Sequence, residues 1–338
     1  MALEDIFPEP LVLAPLSGTH RHTIILLHGR GSRADAFSTE VSGTHLNKLP
    51  NFADDLDHNA APSTTPPSPT ARKDPTTLQE ALPDAKFIFP WARKQRATVY
   101  KRSIIRQWFD DWHCSPELSG DIVDTRYDKG LQTPGLGDTV RFLHGLIAAE
   151  ARILGSARNV VLGGFSQGAA ASLVAALLWD DGGEGLGAVV SMAGRLPYQT
   201  QIMAHLDTAA CAGNGSSEVG DDYDVVFDPF EDPATLQDGE TRAGPTLSAI
   251  EWLREEIELP KEGRSILRHA QSTTSVLLCH GQDDQQVYIE GSRRALEILP
   301  RLGLRPVVWR TYDGVGHALS DDMLSDVAGF LRGALGLS

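Results

Sequence analysis

Short apolar runs closed by turn-forming residues recur along the chain at 23–28 (Thr-Ile-Ile-Leu-Leu-His), 86–89, 159–165, 188–192, 275–279 and 306–310. Most of their positions are apolar in succession. That suits strands covered on both faces, because a strand with one wet face alternates with period two. Helical patterns lie between the runs. Asp138 is placed to cap a helix running to about Leu154, with Val140, Leu143, Ile147, Ala151 and Leu154 on one stripe. Residues 169–178, Ser292 to Leu299 and Asp321 to Leu335 read as further helices. Strands alternating with helices predict an α/β fold, a mostly parallel sheet with helices on both faces, in a single domain over 1–338.

Two segments depart from this rhythm. Residues 59–75 are rich in Pro, Ser and Thr and read as an exposed flexible loop. Residues 205–263 carry fifteen Asp or Glu against three basic residues, with one helical pattern from Thr246 to Leu259. The expectation is an acidic surface insertion, with a lid over the functional site as the alternative.

Composition narrows the function classes. A hydrophobic content of 41% supplies an ordinary globular core. The formal charge of −15 argues against a nucleic-acid partner and against docking on anionic lipid. The three cysteines, Cys114, Cys211 and Cys279, are widely spaced and form no metal pattern, so free thiols in a reducing compartment are expected. No basic n-region precedes an apolar run at the N-terminus, and no stretch approaches membrane-spanning length. The expectation is a cytoplasmic protein without stable membrane insertion, metal or cofactor.

The candidate chemistry begins at Gly164-Phe165-Ser166-Gln167-Gly168, directly behind the apolar run 160–163 and ahead of a small-residue helix. This is the strand–turn–helix setting of a nucleophile elbow, with Ser166 at the sheet edge. A serine hydroxyl needs a base to take its proton, and the base needs an acid to fix its tautomer. Later strand ends offer both. The run 275–279 leads into His280-Gly281-Gln282-Asp283-Asp284, and the run 306–310 leads into Tyr312-Asp313-Gly314-Val315-Gly316-His317. The order Ser166, Asp284, His317 matches the doubly wound hydrolases, with Asp283 as the neighbouring candidate acid. An acyl-transfer intermediate also needs two main-chain N–H donors, one after the nucleophile and one after an early strand. Gln167 and Arg30, the latter in His28-Gly29-Arg30-Gly31-Ser32, fill these places, while His28 supports the loop. Met192, Leu196 and Pro197, after the run 188–192, are candidate apolar wall.

These segments resemble the acyl-protein thioesterases and small carboxylesterases of the phospholipase/carboxylesterase group, in the α/β-hydrolase superfamily. The resemblance rests on Leu-His-Gly-Arg-Gly-Ser at 27–32, Arg-Gln-Trp-Phe-Asp at 106–110, Gly-Gly-Phe-Ser-Gln-Gly-Ala at 163–169, Cys-His-Gly-Gln-Asp-Asp at 279–284 and Tyr-Asp-Gly-Val-Gly-His at 312–317. It implies an α/β-hydrolase fold and a cofactor-free serine hydrolase whose substrate is an acyl ester or thioester, including S-acylated proteins. By position it implies nucleophile Ser166, base His317 and acid Asp284, the third residue after His-Gly. It also implies that Trp108 and Phe109 line the substrate groove. The chain reads as a divergent paralogue: Arg30 replaces the family's usual Leu beside the acyl pocket, Gln285 replaces its usual Pro, and compact members lack the 205–263 insertion.

Overall fold

The computed structural model describes residues 7–56, 75–111, 130–180, 184–213, 244–260 and 274–337. Seven strands form one sheet in the order β1-β3-β2-β6-β7-β8-β9. They are β1 Leu11–Leu13, β2 His22–Leu27, β3 Ala85–Phe89, β6 Val160–Phe165, β7 Ala188–Met192, β8 Ser275–Gly281 and β9 Val307–Tyr312. Only β1 runs antiparallel to its neighbour, β3; every other pairing is parallel. Two further strands, β4 Lys94–Ala97 and β5 Ser103–Arg106, form a separate antiparallel hairpin. The six apolar runs became the six parallel strands. Strand β1 escaped the pattern because it is a three-residue edge with exposed Val12, and the hairpin escaped it because Lys94-Gln95-Arg96-Ala97 has no apolar run to read.

The helices are α1 Ala34–Gly43, α2 Ala53–Leu56, α3 Leu78–Ala81, α4 Thr133–Leu154, α5 Gln167–Leu177, α6 Gln199–Gly213, α7 Pro245–Glu256, α8 Ile289–Arg301 and α9 Asp321–Ala334. One buried layer packs α4, α5, α6, α7 and α8 on one face of the sheet, and a second packs α1, α3 and α9 on the other. Side chains alternate between the layers along β2, with Ile25 and Leu27 in the first and Ile24 and Leu26 in the second. The sheet is therefore apolar on both sides, which is why its strands read as continuous runs.

Two expectations need correction. Helix α4 starts at Thr133, with Pro134 in its first turn, so Asp138 is not its N-cap. The Asp138 carboxylate instead receives Arg93 at 2.7 Å and Arg141 at 2.6 Å. The sequence boundary at 205 also falls inside a helix. Helix α6 begins at Gln199, and it packs on α7 through Trp252, which meets Tyr198 edge-on and stacks on His205. Ile202, Leu206, Ile250 and Leu253 belong to the core, so the described ends of the supposed insertion are structural. Of the segments 205–263 and 59–75, residues 214–243, 261–263 and 59–74 lie outside the described residues. Among the described residues no helix is long and apolar enough to cross a membrane.

Candidate active site

Strand β6 ends at Phe165 and α5 starts at Gln167, so Ser166 makes the whole reversal. Its φ of 56° and ψ of −119° lie in a region that a side-chain-bearing residue adopts only under constraint. The constraint is visible. The Ser166 N–H donates to Met192 O at 2.8 Å on β7, and the Ser166 carbonyl receives Ala170 N–H at 3.1 Å. The flanking glycines serve another end. A Cβ on Gly164 would stand 2.6 Å from Leu27 O, and one on Gly168 would stand 2.4 Å from it. They let α5 and β6 close on the end of β2, while the positive φ belongs to the serine.

Acid and base follow β8 and β9, which lie beyond β7 in the sheet. His317 Nδ1–H donates to Asp284 Oδ2 at 2.6 Å. With that proton on Nδ1, Nε2 accepts from Ser166 Oγ–H at 2.9 Å. Asp284 is buried and Asp283 is exposed, which separates the two neighbouring candidates. Burial acts to raise the Asp284 carboxyl. Hydrogen bonds from His280, His317 and the Val287 main chain outweigh it and hold the group well below the usual carboxylate range. Its other oxygen receives Gln286 N–H at 2.8 Å and Val287 N–H at 2.9 Å. His280 joins Ser292 Oγ at 2.7 Å and Val287 O at 2.7 Å, and lies 3.3 Å from Asp284. Gly281 seats the loop that carries the base: a Cβ there would lie 2.2 Å from Val315 O and 2.6 Å from Gly316 O. Phe165 packs on the His317 ring with centroids 4.8 Å apart.

The loop after β2 faces the same point. A Cβ on Gly29 would touch Ser166 Cβ at 3.4 Å. Ser32 N–H bonds Gly29 O and Gly31 N–H bonds Arg106 O, while the Arg30 and Gln167 N–H groups find no acceptor among the described residues. Two unspent amides therefore flank the nucleophile. His28 fixes this loop from below: Nδ1–H donates to Gly29 O at 2.8 Å, and Nε2 accepts Ala92 N–H at 3.1 Å. Burial lowers its pKa from 6.5 to about 4, so the ring stays neutral.

The 106–110 segment has a role that its aromatic residues disguised. Trp108 does not line the site. It is wholly buried, its Nε1–H donates to His28 O at 2.7 Å, and its carbonyl receives Thr139 Oγ1 at 2.6 Å. The Gln167 side chain spans the same segment, accepting Trp108 N–H at 3.0 Å and donating to Phe109 O at 2.8 Å. The residue after the serine thus clamps a distant loop, a role its side chain did not announce in sequence. Leu196 is also wholly buried in the helical layer and away from the cavity. Phe109, by contrast, reaches the wall. Asp110 closes the hairpin by receiving Thr98 N–H at 2.9 Å and the Thr98 hydroxyl.

A cavity of about 200 Å³ opens over Ser166 and His317. Sequence reasoning missed most of its charged wall. Arg195, two residues past Ala193, points a guanidinium nitrogen at Asp111 Oδ2 at 2.5 Å, and Arg30 reaches the same oxygen at 3.4 Å. Burial draws the Arg30 guanidinium below its ordinary value, against the opposing pull of Asp111.

A family profile described as Phospholipase/Carboxylesterase matches residues 68–213. Acyl-protein thioesterase 1 of Gibberella zeae is 22% identical over 325 residues, spanning 96% of this chain and 94% of that protein. Carboxylesterase SOBER1 of Arabidopsis thaliana is 21% identical over 251 residues, spanning 74% of this chain and 78% of that protein. Among solved structures, acyl-protein thioesterase 2 of Zea mays superposes with a TM-score of 0.56 at 20% identity, covering 97% of this chain and 99% of that one. The sheet order and the superposition together are those of an α/β-hydrolase fold.

Proposed function

We propose that this chain, a distant member of the phospholipase/carboxylesterase family, is a serine hydrolase that cleaves carboxylic esters or thioesters through an acyl-enzyme. Ser166 Oγ attacks the carbonyl carbon as His317 Nε2 takes its proton. The Arg30 and Gln167 amides receive the oxyanion of the tetrahedral intermediate, and each such donor is worth about 2.7–4 kcal/mol of barrier. The intermediate collapses as His317 passes the proton to the departing alcohol or thiol. Water, deprotonated by the same nitrogen, then releases the acid and restores Ser166. Asp284 stays ionised throughout and steadies the imidazolium.

The observation that carries this reading is the continuous hydrogen-bonded path from Ser166 Oγ through His317 to Asp284. The narrower reading, a thioesterase for S-acylated proteins, draws on the name of the Gibberella zeae relative. The small cavity favours a shorter acyl group, since drug-sized ligands occupy roughly 300–1,000 Å³. A cytoplasmic setting belongs to the same proposal, supported by Cys279 being a free thiol. The test is an ester series from acetyl to palmitoyl run beside an S-palmitoyl peptide, with Ser166→Ala as control. The proposal expects ester turnover that the variant abolishes. A folded protein that turns over nothing and takes no fluorophosphonate would instead be a hydrolase fold used for binding.

A further inference from the structure

We infer that His280 is a positioning residue of this site: it carries a proton on each ring nitrogen, and the resulting imidazolium shares Asp284 Oδ2 with His317. The inference rests on the hydrolase reading above, because Asp284 is the acid of that mechanism. The Gly194 carbonyl oxygen can only accept, and Ser292 Oγ stands 2.5 Å from it, so the one hydroxyl proton lies between them. With that proton spent, Ser292 Oγ can only accept from His280 Nδ1, 2.7 Å away, and Nδ1 must carry a proton. At the other end of the ring the Val287 carbonyl oxygen stands 2.7 Å from Nε2, so Nε2 carries one too. A neutral imidazole has a single N–H and would set a bare lone pair against one of these oxygens. The charge has its counterion in place: Asp284 Oδ2 lies 3.3 Å from Nε2, and both side chains are fully buried. A buried cation is tolerated where it is paired and its donors are met, as they are here.

Asp284 Oδ2 also accepts His317 Nδ1–H at 2.6 Å. The acid therefore serves two rings, one already charged and one charged only while it holds the Ser166 proton. His280 and Asp284 together are neutral, and a proton on His317 brings a second cation to the same oxygen. His280 thus opposes protonation of His317 and favours the free base that the first step needs. It also fastens the acid from three directions: through Val287 in its own loop, through Ser292 on α8, and through Ser292 to Gly194 behind β7. Of the other ionisable groups on these elements and on β9, Asp283, Glu290, Arg293 and Asp313 are exposed, Arg294 is half-exposed, and Arg195 is engaged with Asp111. His280 does not line the cavity, so it acts through Asp284 and not on substrate.

The direct test is nuclear magnetic resonance on the whole enzyme labelled with the heavy nitrogen isotope in histidine. At neutral pH both ring nitrogens of His280 should be bonded to a proton, and that signal should vanish in His280→Gln. One proton-bearing and one bare nitrogen on His280 overturns the inference. If the variant does not fold, correlation of the ring to its own main chain assigns the signal, and the wild-type spectrum decides. Kinetics on a short ester supply the second readout. His280→Gln keeps a donor and removes the charge, so the acid limb of the kcat/KM profile should move to higher pH by about one unit. KM should stay within about twofold of wild type, since no substrate contact is lost. Ser292→Ala keeps the ring and removes the acceptor of Nδ1–H; it should move the limb in the same direction by less. An acid limb unmoved in both variants, even with kcat reduced, leaves His280 as packing alone and overturns the inference. A bare nitrogen in an enzyme that turns over esters defeats this inference only. No turnover and no fluorophosphonate adduct at Ser166 defeats the hydrolase reading, and the role of His280 with it.

Discussion

Ser166, Asp284 and His317 follow β6, β8 and β9 and are joined by one hydrogen-bonded path, whereas Arg30 and Arg195 follow β2 and β7 and meet through the side chain of Asp111 across the cavity. The first group is positioned by sheet register and close backbone approach. Met192 O fixes Ser166, and the space above Gly281 fixes the loop of His317. The second group is positioned by side chains, through one shared carboxylate oxygen. A framework held by backbone tolerates little change at its glycines and leaves the wall free to vary. On this reading the reaction type is set by the sheet and the substrate by the loops.

The largest expected effects lie in the backbone-held group. Ser166→Ala, and Asp284→Asn with its wrong His317 tautomer, should each reduce kcat by about 10⁴-fold or more, measured on a short ester. Gly281→Ala comes next. Its Cβ has no room beside Val315 O, so the base must shift, and a misplacement near 1 Å costs about 10²-fold in rate. If the rate falls far more than the unfolding midpoint, Gly281 positions the base; a parallel loss of both would reduce it to a packing site.

Gln167→Ala tests the link between the two groups, because its side chain ties the elbow to the 108–109 segment. Losing both buried bonds should cost at least about 2 kcal/mol in denaturant unfolding. Thermal or chemical stability unchanged from wild type would mean that the segment holds itself.

A further effect, seen only as pH falls, concerns His28. Its folded pKa, about 4, lies below the unfolded value of 6.5, so the unfolded chain binds the extra proton between those values. The associated stability is complete above pH 6.5 and is lost as pH falls towards 4, by at most about 3 kcal/mol. Unfolding curves across that window should show a slope that His28→Gln diminishes.

The same division explains what could be read from the chain. The six parallel strands were legible because both their faces are buried, and the elbow was legible because it needs its residues adjacent. Asp284 and His317 were legible from strand ends and chain order. The Arg30–Asp111–Arg195 wall was not, since its members come from 81 to 165 positions apart and pair only in the fold. Trp108 misled for a related reason. An aromatic residue in a loop segment suggests a groove, and nothing local shows that its indole N–H is aimed at His28 O. Leu196 is the same case in aliphatic form: its burial depends on the helical layer of the core closing over it.

The central claim is that Ser166 is the nucleophile. Treating the native protein with a fluorophosphonate and mapping the adduct by peptide mass spectrometry tests it most directly. One adduct on Ser166, absent in Ser166→Ala and strongly slowed in His317→Gln, is the predicted result. An adduct on another residue, or labelling of Ser166→Ala at the wild-type rate, would contradict it.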